Sequence, residues 1–130
     1  MTEFCPHFFT ATAVKWYNLF KPNKYKDILT ESMRFLVENE RVIIYAFVAM
    51  SNHIHIIWSV INGHEYKDVQ RDFLKFTAQQ VKFDLAKNHP EVLEKFISNR
   101  KDRKYQFWQN RPLSIALYTE NVVWLSCDNT

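Results

Sequence analysis

From His53 to Ile56 the chain alternates polar and apolar residues with a period of two, "HIHI", inside the otherwise apolar run "AFVAMSNHIHIIWSV". Successive side chains of a strand point to opposite faces, so this run predicts Ile54 and Ile56 on one face and His53 and His55 together on the other. Trp58 has the parity of the isoleucines and is expected in the core. Upstream, His7 to Trp16 mixes β-branched and aromatic residues with partial alternation and reads as a first strand. Tyr25, Ile28, Leu29, Met33, Leu36 and Val37 recur at helical spacing, with Pro22 at the helix start. Arg41 to Met50 is a continuous apolar strand, and the short turn Ser51–Asn52 makes a hairpin with His53–Val60. After Asn62-Gly63-His64, a second helix to Asn88 carries the stripe Tyr66, Val69, Phe73, Phe76, Val81 and Leu85. Pro90 ends it, a short third helix follows, and a last strand or helix is expected near the C-terminus. The order strand–helix–strand–strand–helix predicts an α+β, ferredoxin-like split βαβ fold. Helices would cover one face of an antiparallel sheet, with the His pair on the other.

Composition narrows the function classes. The 130 residues, 47% hydrophobic, suffice for one core, so residues 1–130 read as a single domain. With one glycine, Gly63, the chain has no Gly-rich phosphate loop. No apolar run reaches membrane-span length and the first residues do not form a signal peptide, so a cytoplasmic, non-membrane protein is expected. Cys5 and Cys127 lie near opposite ends without metal-type spacing and are read as reduced thiols. The formal net charge is only +3, but its distribution is uneven. Arg100, Lys101, Arg103, Lys104 and Arg111 crowd one segment with Tyr105, Phe107 and Trp108 between them. That mixture suits a nucleic-acid backbone with unstacked bases, or a solvated loop that its aromatics anchor to the core. Arg71, Lys75 and Lys82 lie between the apolar positions of the second helix, where they can meet DNA phosphates or simply face solvent. His64 falls in a turn, and His7 and His89 follow no pattern.

Two imidazoles on one strand face are half of a metal site, or two polar residues on a solvated face. Spacing alone leaves both readings open. "MSNHIHIIW" resembles the HUH motif, two histidines around a hydrophobic residue, of the single-tyrosine transposases of small bacterial insertion sequences and the REP-associated tyrosine transposases. The strand "VIIYAFVAM", the helix "RDFLKFTAQQV" and the later "YQFWQ" resemble the same family in the same order, over roughly residues 8–109. The resemblance implies that His53 and His55 hold Mg²⁺ or Mn²⁺ against a phosphate of single-stranded or hairpin DNA. It further implies attack by a tyrosine, a covalent 5′-phosphotyrosine, and a homodimer whose active sites are completed between subunits.

Residues 112–130 depart from that family. Its tyrosine helix and "I-H-x-N-P" signature are not matched by "LYTENVVWLSCDNT", so a C-terminal truncation is expected. Tyr118 is the best substitute by position. Were Ile115–Trp124 helical, Tyr118 and Asn121 would share a face, although an aromatic packing role stays open for Tyr118. The alternative function is a catalytically dead DNA-binding remnant of such a transposase, and a third reading is an unrelated α+β protein with an incidental His pair.

Overall fold

A computed structural model describes residues 5–117. The elements are β1 (Pro6–Thr12), α1 (Asn23–Glu38), β2 (Val42–Ala49), β3 (His53–Val60), α2 (Tyr66–Asn88), the single turn α3 (Pro90–Leu93) and β4 (Leu113–Ala116). The strands form one sheet in the order β2-β3-β1-β4, every neighbouring pair antiparallel. Each helix therefore returns the chain past one intervening strand, which is the split βαβ order expected.

The burial of β1 and β3 alternates residue by residue. Phe9 and Ala11 of β1 and Ile54, Ile56 and Trp58 of β3 are buried in one cluster with Leu29, Met33 and Leu36 of α1 and Val69, Phe73, Val81 and Leu85 of α2. Both helices thus lie on the same face of the sheet. Phe73 meets Phe9 and Trp58 edge-on, with ring centroids 6.2 and 5.7 Å apart. Burying each such ring contributes about 1.5–3 kcal/mol.

Two helical positions differ from the expected stripe. Phe76 and Val37 are exposed, and Thr77 is fully buried. The inward row of α2 runs Val69, Phe73, Thr77, Val81, Leu85, in steps of four. Phe76 sits about 100° around the helix from Thr77 and misses the sheet. The Thr77 hydroxyl tolerates burial because it donates to Phe73 O (2.8 Å) and accepts from Trp108 Nε1 (3.1 Å).

β1 is shorter than the expected strand. It gives way to a 3₁₀ turn, Val14–Trp16, in which Lys15 (φ 54°) and Trp16 (φ 59°) both have left-handed backbone. Each such non-glycine residue costs about 1–2 kcal/mol. Residues 107–109 run beside this end of β1, with Val14 N donating to Phe107 O and Gln109 N to Thr12 O, each at 2.8 Å. Phe107 and Trp108 are buried, Trp108 stacking on Phe20 with centroids 5.0 Å apart. For these two aromatics the core-anchoring reading holds. Of the strand or helix expected near the C-terminus, the structure has a strand: Ile115 and Ala116 belong to β4, which pairs with β1. Cys5 is buried and disulfide-bonded, which overturns its reading as a reduced thiol. Among the described residues no helix is long and apolar enough to cross a membrane. Tyr118 and Asn121 lie outside the described residues.

His7 is buried against Tyr66, ring centroids 4.0 Å apart. Burial pushes its pKa below the ordinary 6.5, partly countered by the hydrogen bond between its Nδ1 and Cys5 O. Above pH 6.5 the ring is neutral in folded and unfolded chains alike, and its contribution is complete. As pH falls below that value, the unfolded chain takes up a proton that the folded one resists, so stability drops until the folded pKa is reached. Urea midpoints should fall from pH 7.5 towards pH 5, and His7→Phe should flatten that dependence, leaving the share of His55. Thr77→Val, which strands the Trp108 indole N–H, should cost about 1–2 kcal/mol in the same measurement.

Candidate metal centre and nucleic-acid groove

β3 is an interior strand, so its helix-free face is flanked on both sides by neighbouring side chains. His55 stands opposite Val48 of β2 and Thr10 of β1, and His53 stands opposite Thr12. The two imidazoles are on the face away from the helices, ring centroids 4.7 Å apart and planes 76° to one another. This is the placement that the alternation predicted.

Each ring is held by its Nδ1. His53 Nδ1 is 2.6 Å from Asn52 Oδ1, and His55 Nδ1 is 2.8 Å from Thr10 Oγ1. An amide oxygen only accepts, so His53 donates to it through Nδ1–H, which leaves Nε2 as the nitrogen not engaged by Asn52. The Thr10 hydroxyl can accept in the same way from His55. Phe8 stacks on the other side of His55, centroids 5.4 Å apart. Burial, and secondarily the neighbouring His53, lower the pKa of His55 and keep it neutral at physiological pH. A metal-ligating histidine typically binds through one ring nitrogen while the other donates to an oxygen, and both Nδ1 atoms here are tied to oxygens. Among the described residues no group of three His, Cys, Asp or Glu side chains converges. A divalent ion held here would have His53 and His55 as its ligands from this strand and would need oxygen ligands from elsewhere. Thr10 and Asn52 were not singled out in the sequence. Asn52 directly precedes the motif, whereas Thr10 depends on the register between β1 and β3.

The cations gather elsewhere. A groove of about 650 Å³ runs between the outer side of α2 and the segment 102–112. It brings together Arg71, Lys75, Lys82, Arg103, Lys104 and Tyr105 of the sequence candidates, and adds Lys67, Gln79 and Arg111. Lys67, Arg71 and Lys75 form an i, i+4 row, a signal present in the sequence. Arg71 is tied to Asp68 (3.2 Å) and Asp72 (3.1 Å), which offsets its charge. Lys82 and Lys104 lie 5.7 and 5.6 Å from the centre of the Tyr105 ring. Arg100 is not in this groove. It lines a smaller cavity with Lys15 and Lys95 and bonds to Asp102 at 3.1 Å. Lys101 is exposed in a turn. His64 is exposed too, and His89 accepts from Lys24 Nζ at 3.3 Å. Groove and histidines are on different sides of the sheet, so Gln79 and Gln80 are remote from the imidazoles. Gln109 links the two regions: it lines the groove, and its N–H bonds to Thr12, the partner of His53.

No protein-family model and no curated protein matches the chain. The solved structures similar to it include two transposase folds. One is a REP-associated tyrosine transposase bound to a REP hairpin, with 18% identity, a TM-score of 0.60, and coverage of 93% of this chain and 60% of that one. The other is a transposase candidate from Deinococcus radiodurans R1, with 12% identity, a TM-score of 0.57, and coverage of 88% and 80% respectively. The chain thus spans 60% of the length of the hairpin-bound protein. At these identities the likeness is one of fold, and the α+β sheet-and-helix architecture described above is shared with both.

Proposed function

We propose that this chain acts on single-stranded or hairpin DNA as a metal-dependent tyrosine transposase. The observation that carries the reading is the pair of imidazoles, each held through Nδ1, on the helix-free face of the sheet. The likeness in fold to a transposase bound to a REP hairpin supports DNA as the partner. In this reading Nε2 of His53 and of His55 holds Mg²⁺ or Mn²⁺, with Asn52 and Thr10 fixing the two rings. When bound, the ion supplies Lewis-acid stabilisation of charge on the scissile phosphate. Lys75, Lys82 and Lys104 bind the DNA backbone through the groove, and Tyr105 offers a stacking face.

The strand-transfer step conserves bonds. A tyrosine oxygen loses its proton and forms a bond to phosphorus; the bond from phosphorus to the 3′-oxygen breaks, and that oxygen leaves with a proton as a free hydroxyl. A 3′-hydroxyl attacking the phosphotyrosine reverses the exchange, so no nucleotide cofactor is consumed. Tyr118 is the nucleophile in this reading. Leu113 stands in the row of Thr10 and His55, whereas Leu117 N bonds to Pro6 O, four residues further along β1. That offset is about 13 Å at strand rise. In this reading the tyrosine of one copy serves the histidines of a second copy in a homodimer.

Covalent capture tests this directly. Labelled hairpin DNA with a single-stranded flank, incubated with the protein and Mn²⁺, should give a band stable to denaturation that His55→Ala and Tyr118→Phe both abolish. A band that survives Tyr118→Phe alone would move the nucleophile to another tyrosine. Binding without any band would leave a DNA-binding remnant. Asn52→Ala and Thr10→Val should each weaken Mn²⁺ binding about tenfold or more by calorimetry, as loss of the ring-orienting partners does. Lys75→Ala with Lys82→Ala should reduce the slope of log affinity against log salt for a hairpin by about two.

A further inference from the structure

Trp16 is the most exposed large hydrophobic side chain among the described residues. Trp16 is 62% exposed and makes no ring contact among the described residues. It nonetheless sits in a tightly determined place. Val14 is fixed by its N–H bond to Phe107 O, and Tyr17 packs edge-on against Phe96 with centroids 5.2 Å apart. Both pack on the core. Between these two anchors Lys15 and Trp16 are held in left-handed backbone, a conformation that neither residue type favours and that recurs at functional sites. Their side chains are thereby presented on a rigid turn.

A cavity of about 310 Å³ opens beside Lys15, the residue that precedes Trp16 in the turn. Its walls include Lys15, Lys95, Arg100, Gln106 and Asn110. No ion pair among the described residues engages Lys15 or Lys95, and Arg100 is tied to Asp102 and Asn110. Cations and amide donors suit a phosphate. The exposed indole of Trp16, the residue after Lys15 on the same turn, suits the face of a base, which a base offers only when it is unpaired. The turn is also joined to the metal candidate: Ala13 N donates to Asn52 O, and Phe20 N to Ser51 O, each at 2.8 Å. Asn52 is the residue that holds His53.

We propose that the Lys15–Trp16 turn and the cavity beside it form a subsite for one unpaired nucleotide of single-stranded DNA, with the base stacked on Trp16 and its phosphate between Lys15 and Lys95. The assignment rests on the DNA-binding reading above, but it uses none of the residues of the α2 groove. It separates two tasks, with double-stranded stems held by the groove and the strand next to the histidines held by the turn.

The test compares a short labelled oligothymidylate with a blunt-ended DNA hairpin, both followed by fluorescence anisotropy without added metal. Trp16→Asn keeps a residue that tolerates left-handed backbone while removing the ring, and Trp16→Phe keeps a ring. Trp16→Asn should weaken the oligothymidylate about tenfold and leave the hairpin unchanged, with Trp16→Phe retaining most of the affinity. Lys15→Ala with Lys95→Ala should lower the salt slope for the oligothymidylate by about 1.4. Equal affinity of wild type and Trp16→Asn for the oligothymidylate would overturn the subsite, as would no binding of it by the wild type. Oligothymidylate binding that depends on Trp16, with no hairpin binding, would remove the α2 groove from the account and leave the subsite standing.

Discussion

The burial of Ile54, Ile56 and Trp58 is the constraint on which the rest of the molecule depends. These side chains are fully excluded from water, and they pack against both helices at once. Because the period of a strand is two, fixing them inward fixes His53 and His55 outward. A slip of one residue would drive two imidazoles into an apolar core and expose an indole. The core therefore enforces the site's orientation without touching it. The same register, carried into β1, brings Thr10 opposite His55 and so supplies the hydroxyl that orients the ring.

A second dependence runs through Thr77 and Trp108. The indole N–H seeks a partner in a buried place, and the only polar group that the inward row of α2 offers there is a threonine hydroxyl. That bond, with the backbone pairing of residues 107–109 to the end of β1, pins the basic segment at its C-terminal end. Cationic side chains can then face α2 in a defined groove. The aromatics of this segment divide accordingly: Phe107 and Trp108 serve the core, while Tyr105 stays half-buried between two lysines.

Much of this was legible in the sequence, for identifiable reasons. The helices, the hairpin and the outward histidines follow from periodicity, which is a local property. Thr77 was missed because its polarity hid it from a hydrophobic stripe, and only the position of Trp108, thirty-one residues later in the chain, explains its burial. Thr10 was missed for a similar reason, since strand register between β1 and β3 spans forty-five residues. The end of β1 was placed too late because Val14 and Trp16 have strand-like side chains. Contacts of Val14 and Tyr17 to distant aromatics override that propensity and bend the chain into left-handed backbone.

The distribution of paired and unpaired cations, more than the net charge, decides where an anion would settle. A formal charge of +3 spread evenly over the chain would give a weak field. The arginines, however, are largely committed: Arg34 to Glu31, Arg41 and Arg71 to Asp72, and Arg100 to Asp102. The lysines of the groove have no such partner among the described residues. Paired arginines stiffen the surface they lie on, since a guanidinium fork fixes its carboxylate in one geometry, whereas an unpaired ammonium on a flexible stem keeps its charge for a ligand. On the opposite face, burial holds the pKa of His55 below its ordinary value and disfavours a positive charge there. That face would attract phosphate chiefly through a cation held by the imidazoles, while the helix side attracts it by the groove's lysines together with Arg103 and Arg111. Binding on the helix side should weaken steeply with salt, and binding at the histidines should depend on metal, because different physical terms act on the two faces of a single sheet.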